Sequence, residues 1–521
     1  MAHRGRILAG PAKDAVMRSK KRSLACRAEA RELARPEQGP GSAPAIVELA
    51  RALGVKSPEE SMLRLTEALD RITGLLRNSP DFAIPEVRFS QIEDGRFPYY
   101  VTRQINRRGV VVVRGVVPAD TALRWRDSLL EYLETNGLSD GPPGTRDVFW
   151  SKSQAQAREH LGVRQVLASL NRLWKPDLST PMDLTKSLSY CDRAFVGNPT
   201  SSSLRAGNAA VMTGGPCASQ RWLSPHHQQA YRDIFEGRWE DWDPFKAGPR
   251  MRAAEAASLG GFDAGRGDGG GAEGLAPPQP FRPFQGYLSF GRWGETGNVH
   301  VVPILRVATA FTLLRPFMQD ALDAGMGAGD GDWLCGGGGL SWCSRQSEWH
   351  QPILDALVRL PPLSPGDAVF WHTDIIHCEA SAVPGIRTAS NPDNDSSVVN
   401  AQGLVTGSDR GDDNRSEGWS DENSGFAGAH LSSLPICEAN STYVKAQREA
   451  FANGGRPPVA FAARRVGEAE EEEEGRFVGR VSREELTRGG RRAMGMRRYV
   501  REHHNPALEE HHRVLDMSYQ W

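Results

Sequence analysis

The chain has 521 residues, of which 39% are hydrophobic and 24% charged, and its formal net charge is -1. A chain of this length can bury a large core, and its near-zero charge excludes a whole-protein field directed at nucleic acid or membrane. No apolar run is long enough to span a bilayer, and the seven cysteines form no Cys-x-x-Cys pair. We therefore expect a globular protein of a reducing compartment, with neither nucleic acid nor membrane as partner.

Residues 1–40 are rich in Arg and Lys and lack the apolar segment of a secretory signal. We interpret them as a basic, disordered leader of a cytoplasmic protein; an organelle transit peptide is the alternative, and Asp14, Glu29 and Glu32 count against it. Residues 41–95 form a predicted helical extension, because apolar residues recur at helical spacing from Pro44 to Leu76. A break near Val55–Pro58 divides this stretch into two helices.

Further along, apolar periodicity predicts helices and strands in a mixed order. The predicted helices are Ala119–Asn136, Gln154–Trp174 and Val307–Ala324. The predicted strands are Val110–Val113, Phe284–Phe290, Val299–Leu305 and Ala368–Ile376. Helices followed by strands that end in Gly-Asp turns indicate an α+β domain with a jelly-roll core and flanking helices.

The main domain is predicted to cover residues 96–497, with a helical tail at 498–521. Gly, Asp and Ser are concentrated near 260–280, 325–339 and 391–428, which predicts flexible surface inserts. The acidic run Glu468–Glu474 is expected to be a solvated linker.

The segment from Gly366 to His377 carries the strongest chemical signal. A Gly-Asp turn opens an apolar run that contains Trp371, His372, Asp374 and His377. Two imidazoles and a carboxylate are the ligand types of the 2-His-1-carboxylate triad in non-haem Fe(II) oxygenases. A buried strand with hydrogen-bonded polar groups is the competing interpretation of this motif.

Many short stretches in a fixed order resemble the YbiU-like family (DUF1479), over roughly Pro98 to Met496. They are Asn106–Gly115, Phe149–Arg158, Leu170–Trp174, Tyr190–Arg193, Arg221–Pro225, Ile234–Gly237 through Asp243-Pro244, Phe284–Gly286, His300–Ile304, Leu313–Pro316, Gly366–His377, Gln447–Phe451, Glu474–Phe477 and Arg492–Met496. The family is regarded as a group of Fe(II)/2-oxoglutarate-dependent dioxygenase-like proteins. The resemblance implies a double-stranded β-helix (jelly-roll, cupin-like) core, with Fe(II) and 2-oxoglutarate as cofactors.

In this family the iron site has a His-x-Asp pair on an early core strand and a distal His on a late strand. His377 corresponds to the distal His. The early pair should lie just before Arg221-Trp222, but the stretch Ala209–Trp222 contains neither His nor Asp. Loss of two of three ligands should remove most of the Fe(II) affinity.

Three interpretations remain at this point. The fold can be retained with the chemistry lost, which leaves a non-catalytic protein that binds a small molecule or a partner. Alternatively, His372 and Asp374 can form a substitute metal site with His377 or with a later histidine such as His430. However, His372 and Asp374 would share one face of a regular strand opposite His377, so a bulge or a strand end is needed. In the third interpretation, His226-His227 move into the site.

Arg193 is the candidate residue for binding a carboxylate such as that of 2-oxoglutarate, because a guanidinium presents a bidentate fork. Arg114 is a second candidate, and an ion pair is the structural alternative for both. The sequence thus predicts a dioxygenase-like protein of unknown substrate with activity in doubt, or a binding protein on the same fold.

Overall fold

The computed structural model describes residues 50–51, 53–79, 83–139, 144–177, 182–197, 211–214, 228–259, 280–292, 299–318, 340–341, 352–353, 355–379, 426–458 and 474–497. The predicted basic leader, the helical tail and nearly all of the three predicted inserts lie outside these residues, as do His226 and His227.

Within the described residues the fold is a mixture of helices and two β-sheets. The helices are α1 (Pro58–Asn78), α2 (Tyr99–Arg108), α3 (Ala119–Thr135), α4 (Lys152–Glu159), α5 (Leu161–Asn171), α6 (Arg232–Phe235), α7 (Ala247–Leu259), α8 (Leu305–Leu314), α9 (Glu438–Ala452) and α10 (Arg488–Ala493). The first six strands are β1 (Glu86–Arg88), β2 (Val110–Arg114), β3 (Gly144–Arg146), β4 (Ala194–Gly197), β5 (Val211–Gly214) and β6 (Phe284–Ser289). The remaining six are β7 (Val299–Val301), β8 (Leu340–Ser341), β9 (Val358–Arg359), β10 (Ala368–His372), β11 (Ile376–Glu379) and β12 (Phe426–Ser432).

The larger sheet has seven strands in the order β1-β2-β10-β6-β12-β4-β3, and the smaller has five in the order β8-β5-β11-β7-β9. All neighbouring pairs are antiparallel except β1 and β2. The chain moves from the larger sheet to the smaller one three times, between β4 and β5, between β6 and β7, and between β10 and β11. The α+β class expected from the sequence is confirmed.

Most predicted elements are present, with changed boundaries. The predicted helix Gln154–Trp174 is divided at His160 into α4 and α5. The predicted strand Val299–Leu305 ends at Val301, and the next helix begins at Leu305. Strand β12 begins at Phe426, within the predicted insert 391–428.

One expectation for the acidic run is wrong at its last residue. Glu474 is buried rather than solvated, and its carboxylate accepts hydrogen bonds from the backbone N–H groups of Phe149 and Trp150. It also accepts one from the hydroxyl of Tyr132 at 2.9 Å. Since these donors satisfy the carboxylate, Glu474 can leave water and join the start of α4 to the last part of the domain.

Two large apolar clusters pack around the sheets. One contains the larger sheet together with buried residues of α3 and α5, and it includes Val299 and Val301 of the smaller sheet. The other packs α1 and α8 against Ile376 and Val302. No helix in the described parts of the chain is long and apolar enough to cross a membrane.

Candidate functional site

The chain crosses between the two sheets in the middle of the Gly366–His377 motif. We predicted a continuous strand over Ala368–Ile376, but β10 ends at His372 and β11 begins only at Ile376. The N–H of Ile375 donates to the carbonyl of His372 at 2.9 Å, which closes a tight turn between the strands. A metal site formed by His372, Asp374 and His377 together would require a strand end between them, and the structure has one. However, this strand end puts His372 and His377 on different sheets.

His372 is fully buried on the side of the larger sheet that faces the helices. Its ring stacks on Trp174 at 4.9 Å between centroids, with an interplanar angle of 7°. Nε2 lies 3.2 Å from the carbonyl oxygen of Pro244, so it carries the proton and donates. Nδ1 accepts from the backbone N–H of Asp374 at 3.1 Å. Burial lowers the pKa of His372 to about 3, so the ring is neutral.

Asp374 belongs to the same buried group. Its carboxylate accepts two hydrogen bonds from the guanidinium of Arg250, one of them at 3.1 Å, and a third from the hydroxyl of Tyr231 at 2.9 Å. Burial alone would raise the pKa of Asp374, but the charge of Arg250 outweighs it and holds the pKa below its ordinary value. The carboxylate is thus satisfied as one member of a buried ion pair.

These contacts leave little metal-binding capacity in His372 and Asp374 as they are arranged. Both nitrogens of His372 are engaged with backbone groups, and the oxygens of Asp374 are bound by Arg250 and Tyr231. Among the described residues, no three His, Cys, Asp or Glu side chains are grouped so that they could hold a metal ion. A metal site at His372, Asp374 and His377 would require these hydrogen bonds to be given up.

His377 has different surroundings. In β11 it pairs with Thr213 of β5 on one side and with Val301 of β7 on the other. Its Nδ1 lies 3.1 Å from the carbonyl oxygen of Ile375 and therefore donates to it. The ring lies 4.9 Å from that of Trp371 on the larger sheet. His377 thus occupies the side of the smaller sheet that faces the larger one.

The facing side of the larger sheet can be followed from the strand register. Trp371 of β10 pairs with Gln285 of β6, which pairs with Ser432 of β12. Side chains at paired positions lie on the same face, so these three form one row across the sheet. We call it the polar row. Tyr287 and His430 lie beside it on the same face, with ring centroids 4.4 Å apart.

Comparison with known proteins is consistent with this architecture. The model of the Gig2-like family matches residues 46–496. The chain belongs to the Gig2-like family. The resemblance to the YbiU-like group (DUF1479) expected from the sequence is thereby confirmed.

Relatives of this Gig2-like protein include one curated sequence and several solved structures. The uncharacterized protein YbiU of Escherichia coli K12 is 27% identical over 440 residues, covering 81% of this chain and 87% of YbiU. GlcNAc Inducible Gene 2 (GIG2, DUF1479) of Candida albicans has a TM-score of 0.68 at 20% identity, and the match covers 91% of this chain and 94% of that one. A Salmonella typhimurium LT2 protein provisionally designated an oxidoreductase has a TM-score of 0.64 at 23% identity, with 89% and 99% coverage. At these identities the structural matches establish the fold.

Arg193 lies at the start of β4 in this Gig2-like chain, away from His372 and Asp374. Its guanidinium is 3.7 Å from Asp192 and 3.9 Å from Asp147, and its carbonyl accepts from the N–H of His430. Arg114 bridges Glu86 and Asp367. Both candidate carboxylate-binding residues therefore have carboxylate partners within the protein. Whether Arg193 binds 2-oxoglutarate stays a prediction.

Sequence reasoning missed Arg250, Tyr231 and the polar row. Arg250 is 124 residues from Asp374, and Tyr231 is 143 residues from it, so no local spacing indicates their contact. Only Gln285 could have been noticed from the sequence, because it is a polar residue within an apolar predicted strand.

Proposed function

We propose that this chain is a non-catalytic small-molecule-binding protein on a double-stranded β-helix, whose binding site lies between its two sheets. The strand order supports the fold. If β4, β5, β6, β7, β9, β10, β11 and β12 are numbered one to eight, the larger sheet contains the order 1-8-3-6 and the smaller one 2-7-4-5. This order supports a jelly roll, because all successive strands except the fourth and fifth lie in different sheets.

The observation that carries the proposal is the pairing of His377. In this fold the position beside the distal His, on the second core strand, is where a dioxygenase-like relative would carry its His-x-Asp ligands. Here that strand is β5, and its residue beside His377 is Thr213. The carboxylate in the adjoining turn, Asp374, is neutralised by Arg250. Within the described chain the residues present therefore do not fit an Fe(II) triad.

The facing surfaces support binding of an organic molecule. They carry aromatic rings (Trp371, Tyr287 and His377) next to a few polar groups, a composition common in ligand sites. Fold alone does not give function, so the rival to be excluded is an Fe(II)/2-oxoglutarate dioxygenase with a rebuilt metal site.

Iron content tests the rival directly. Tag-free protein is reconstituted anaerobically with Fe(II) and 2-oxoglutarate, desalted and assayed for metal beside His377→Ala. We expect no more iron in the wild type than in the variant. Near-stoichiometric iron that is lost in the variant would overturn the non-catalytic proposal in favour of the dioxygenase.

Binding is tested by a thermal-shift screen against a library of neutral, anionic and cationic small molecules. We expect at least one compound to raise the melting temperature, and the shift to disappear in Ser432→Leu, which fills the face between the sheets. Circular dichroism confirms that this variant is folded. If no compound shifts the wild type, or if every shift persists in the folded variant, the proposed site is wrong.

A further inference from the structure

We infer that the ligand of this site is an uncharged polyhydroxylated molecule, such as a sugar or a cyclic polyol, held by the polar row Trp371, Gln285 and Ser432. The inference rests on the proposed binding function and adds the chemical class of the ligand. It is carried by unpaired polar atoms on one face of the larger sheet and by the charges of the side chains around them.

Two atoms of the polar row are buried without a hydrogen-bond partner in the part of the chain that the structure describes. They are Nε1 of Trp371 and Oγ of Ser432, whose residues are each 2% exposed. An unpaired buried polar group destabilises a fold, and most such groups in native proteins have a partner. The indole N–H can only donate, whereas the hydroxyl can donate and accept. A ligand that satisfies both atoms would offer an acceptor to the indole N–H, and either a donor or an acceptor to the hydroxyl.

The spacing of the row sets the size of the partner. Trp371, Gln285 and Ser432 lie on three adjacent strands, so their backbones span about 10 Å in steps of about 4.8 Å. Gln285, which is only partly buried, places an amide between the two unpaired atoms. A molecule with several hydroxyl groups can meet an indole N–H, an amide and a hydroxyl together, because each hydroxyl both donates and accepts.

Within the described residues, the charged side chains nearest the row already have partners of opposite charge in the protein. The neighbours of the row on the two facing surfaces are Tyr287, Val369, Val110, Val301, His377 and His430. Arg114 is paired with both Glu86 and Asp367. Asp192, which interacts electrostatically with His430, lies 3.7 Å from Arg193 and 3.8 Å from Arg282. Because an ion buried without a counter-charge is strongly disfavoured, these surroundings select an uncharged ligand.

Aromatic rings complete the match. Tyr287 and Trp371 are neighbours on the same face, with ring centroids 5.2 Å apart, and the ring of His377 lies 4.9 Å from that of Trp371. The C–H face of a sugar or cyclitol is apolar and can lie against such rings, while its rim of hydroxyl groups meets the polar row.

The experiment uses matched pairs that differ in charge. The probes are D-glucose with D-glucuronate and glucose 6-phosphate, D-sorbitol with D-gluconate, and myo-inositol with its monophosphate. Affinities are measured by calorimetry on the full chain. We expect a neutral polyol to bind at least tenfold more tightly than its charged partner. Trp371→Phe, which keeps the ring and removes the N–H, and Ser432→Ala should each weaken binding by about tenfold.

Ser433→Ala is the matched control. Ser433 lies on the opposite face, and its hydroxyl accepts from the N–H of Phe284 at 3.1 Å. Its loss should lower the melting temperature and leave the affinity unchanged. Tighter binding of the charged partners, or polyol binding that neither row variant weakens, would overturn the inference. If no polyol binds while other compounds bind between the sheets, the polyol class is wrong and the proposed binding function stands.

Discussion

At the scale of single residues, His372 is the side chain whose burial has the clearest consequence for stability. Its native pKa is about 3, against an ordinary value of 6.5, because burial disfavours the imidazolium. Below pH 6.5 the imidazole of His372 becomes protonated in the unfolded chain, whereas in the native protein it stays neutral down to about pH 3. Stability is therefore complete above pH 6.5 and falls as the pH decreases towards 3.

We predict that His372 contributes a slope of up to about 1.4 kcal/mol per pH unit to the free energy of unfolding between pH 6 and pH 4. Urea denaturation at several pH values measures the slope. The comparison is His372→Gln, whose amide does not titrate, so that groups common to both proteins cancel. The variant should be less stable at pH 7 and should show a shallower slope. Equal slopes in the two proteins would contradict the neutral buried state.

The residues of the Gly366–His377 motif could be identified from the sequence, but their roles could not. The clustering of His372, Asp374 and His377 was visible from spacing, and so was the need for a strand end between them. The direction of each side chain depends on contacts made far away in the sequence, such as those of Arg250 with Asp374. A carboxylate that pairs with a distant arginine has the same local sequence as one that binds a metal.

At the scale of elements, the periodicity of apolar residues predicted whether a segment is a helix or a strand better than it predicted where the segment begins and ends. The β-branched run at Val110–Val113 and the amphipathic pattern of α3 gave correct elements because each buries one continuous surface. The boundaries at His160, Val301 and His372 were missed, since each depends on a turn whose hydrogen bonds are made by backbone groups of any residue type.

Gly286 in β6 shows how close packing constrains an element. A Cβ at this position would overlap the carbonyl oxygen of Val369 and would lie 2.8 Å from the Cα of Phe370. We predict that Gly286→Ala costs more than about 2 kcal/mol of stability, because rigid backbone atoms of β10 must move.

The control is Gly74→Ala in α1, where a Cβ meets nothing within 4 Å. That substitution should stabilise the protein by about 1 kcal/mol through helix propensity. Chemical denaturation of both variants measures the contrast. A loss of less than about 0.5 kcal/mol for Gly286→Ala would show that β6 and β10 are less tightly paired than the structure indicates.

At the scale of the whole molecule, the order of helices and strands predicted the α+β class, and the matched segments predicted the family. The resemblance could not decide whether the chemistry that it implies is present, because that depends on the side chains at three positions. Strand pairing, such as the register between β5 and β11, is made by backbone groups and does not depend on whether the side chains can bind a metal. The fold therefore does not establish a metal site, and chemistry must be argued from the residues of each chain.

The N-terminal helix α1 packs against the rest of the domain through a shared apolar cluster, although we predicted residues 41–95 to be a helical extension. Leu65 is fully buried in the cluster that also contains Ile376 of β11 and Trp239 and Trp242 near α6. We predict that Leu65→Ala destabilises the whole protein by about 2–5 kcal/mol, the usual cost of a cavity at a buried leucine.

The reason is that α1 covers the outer side of the smaller sheet and cannot detach without exposing it. Far-UV circular dichroism, which reports helix, and tryptophan fluorescence should therefore give coincident unfolding transitions in the wild type and in Leu65→Ala. Leu63→Ala, at a leucine of the same helix that is 61% exposed, is the matched control and should change stability by less than about 0.5 kcal/mol. An early helical transition in Leu65→Ala, separate from the fluorescence change, would mean that α1 unfolds as an independent unit.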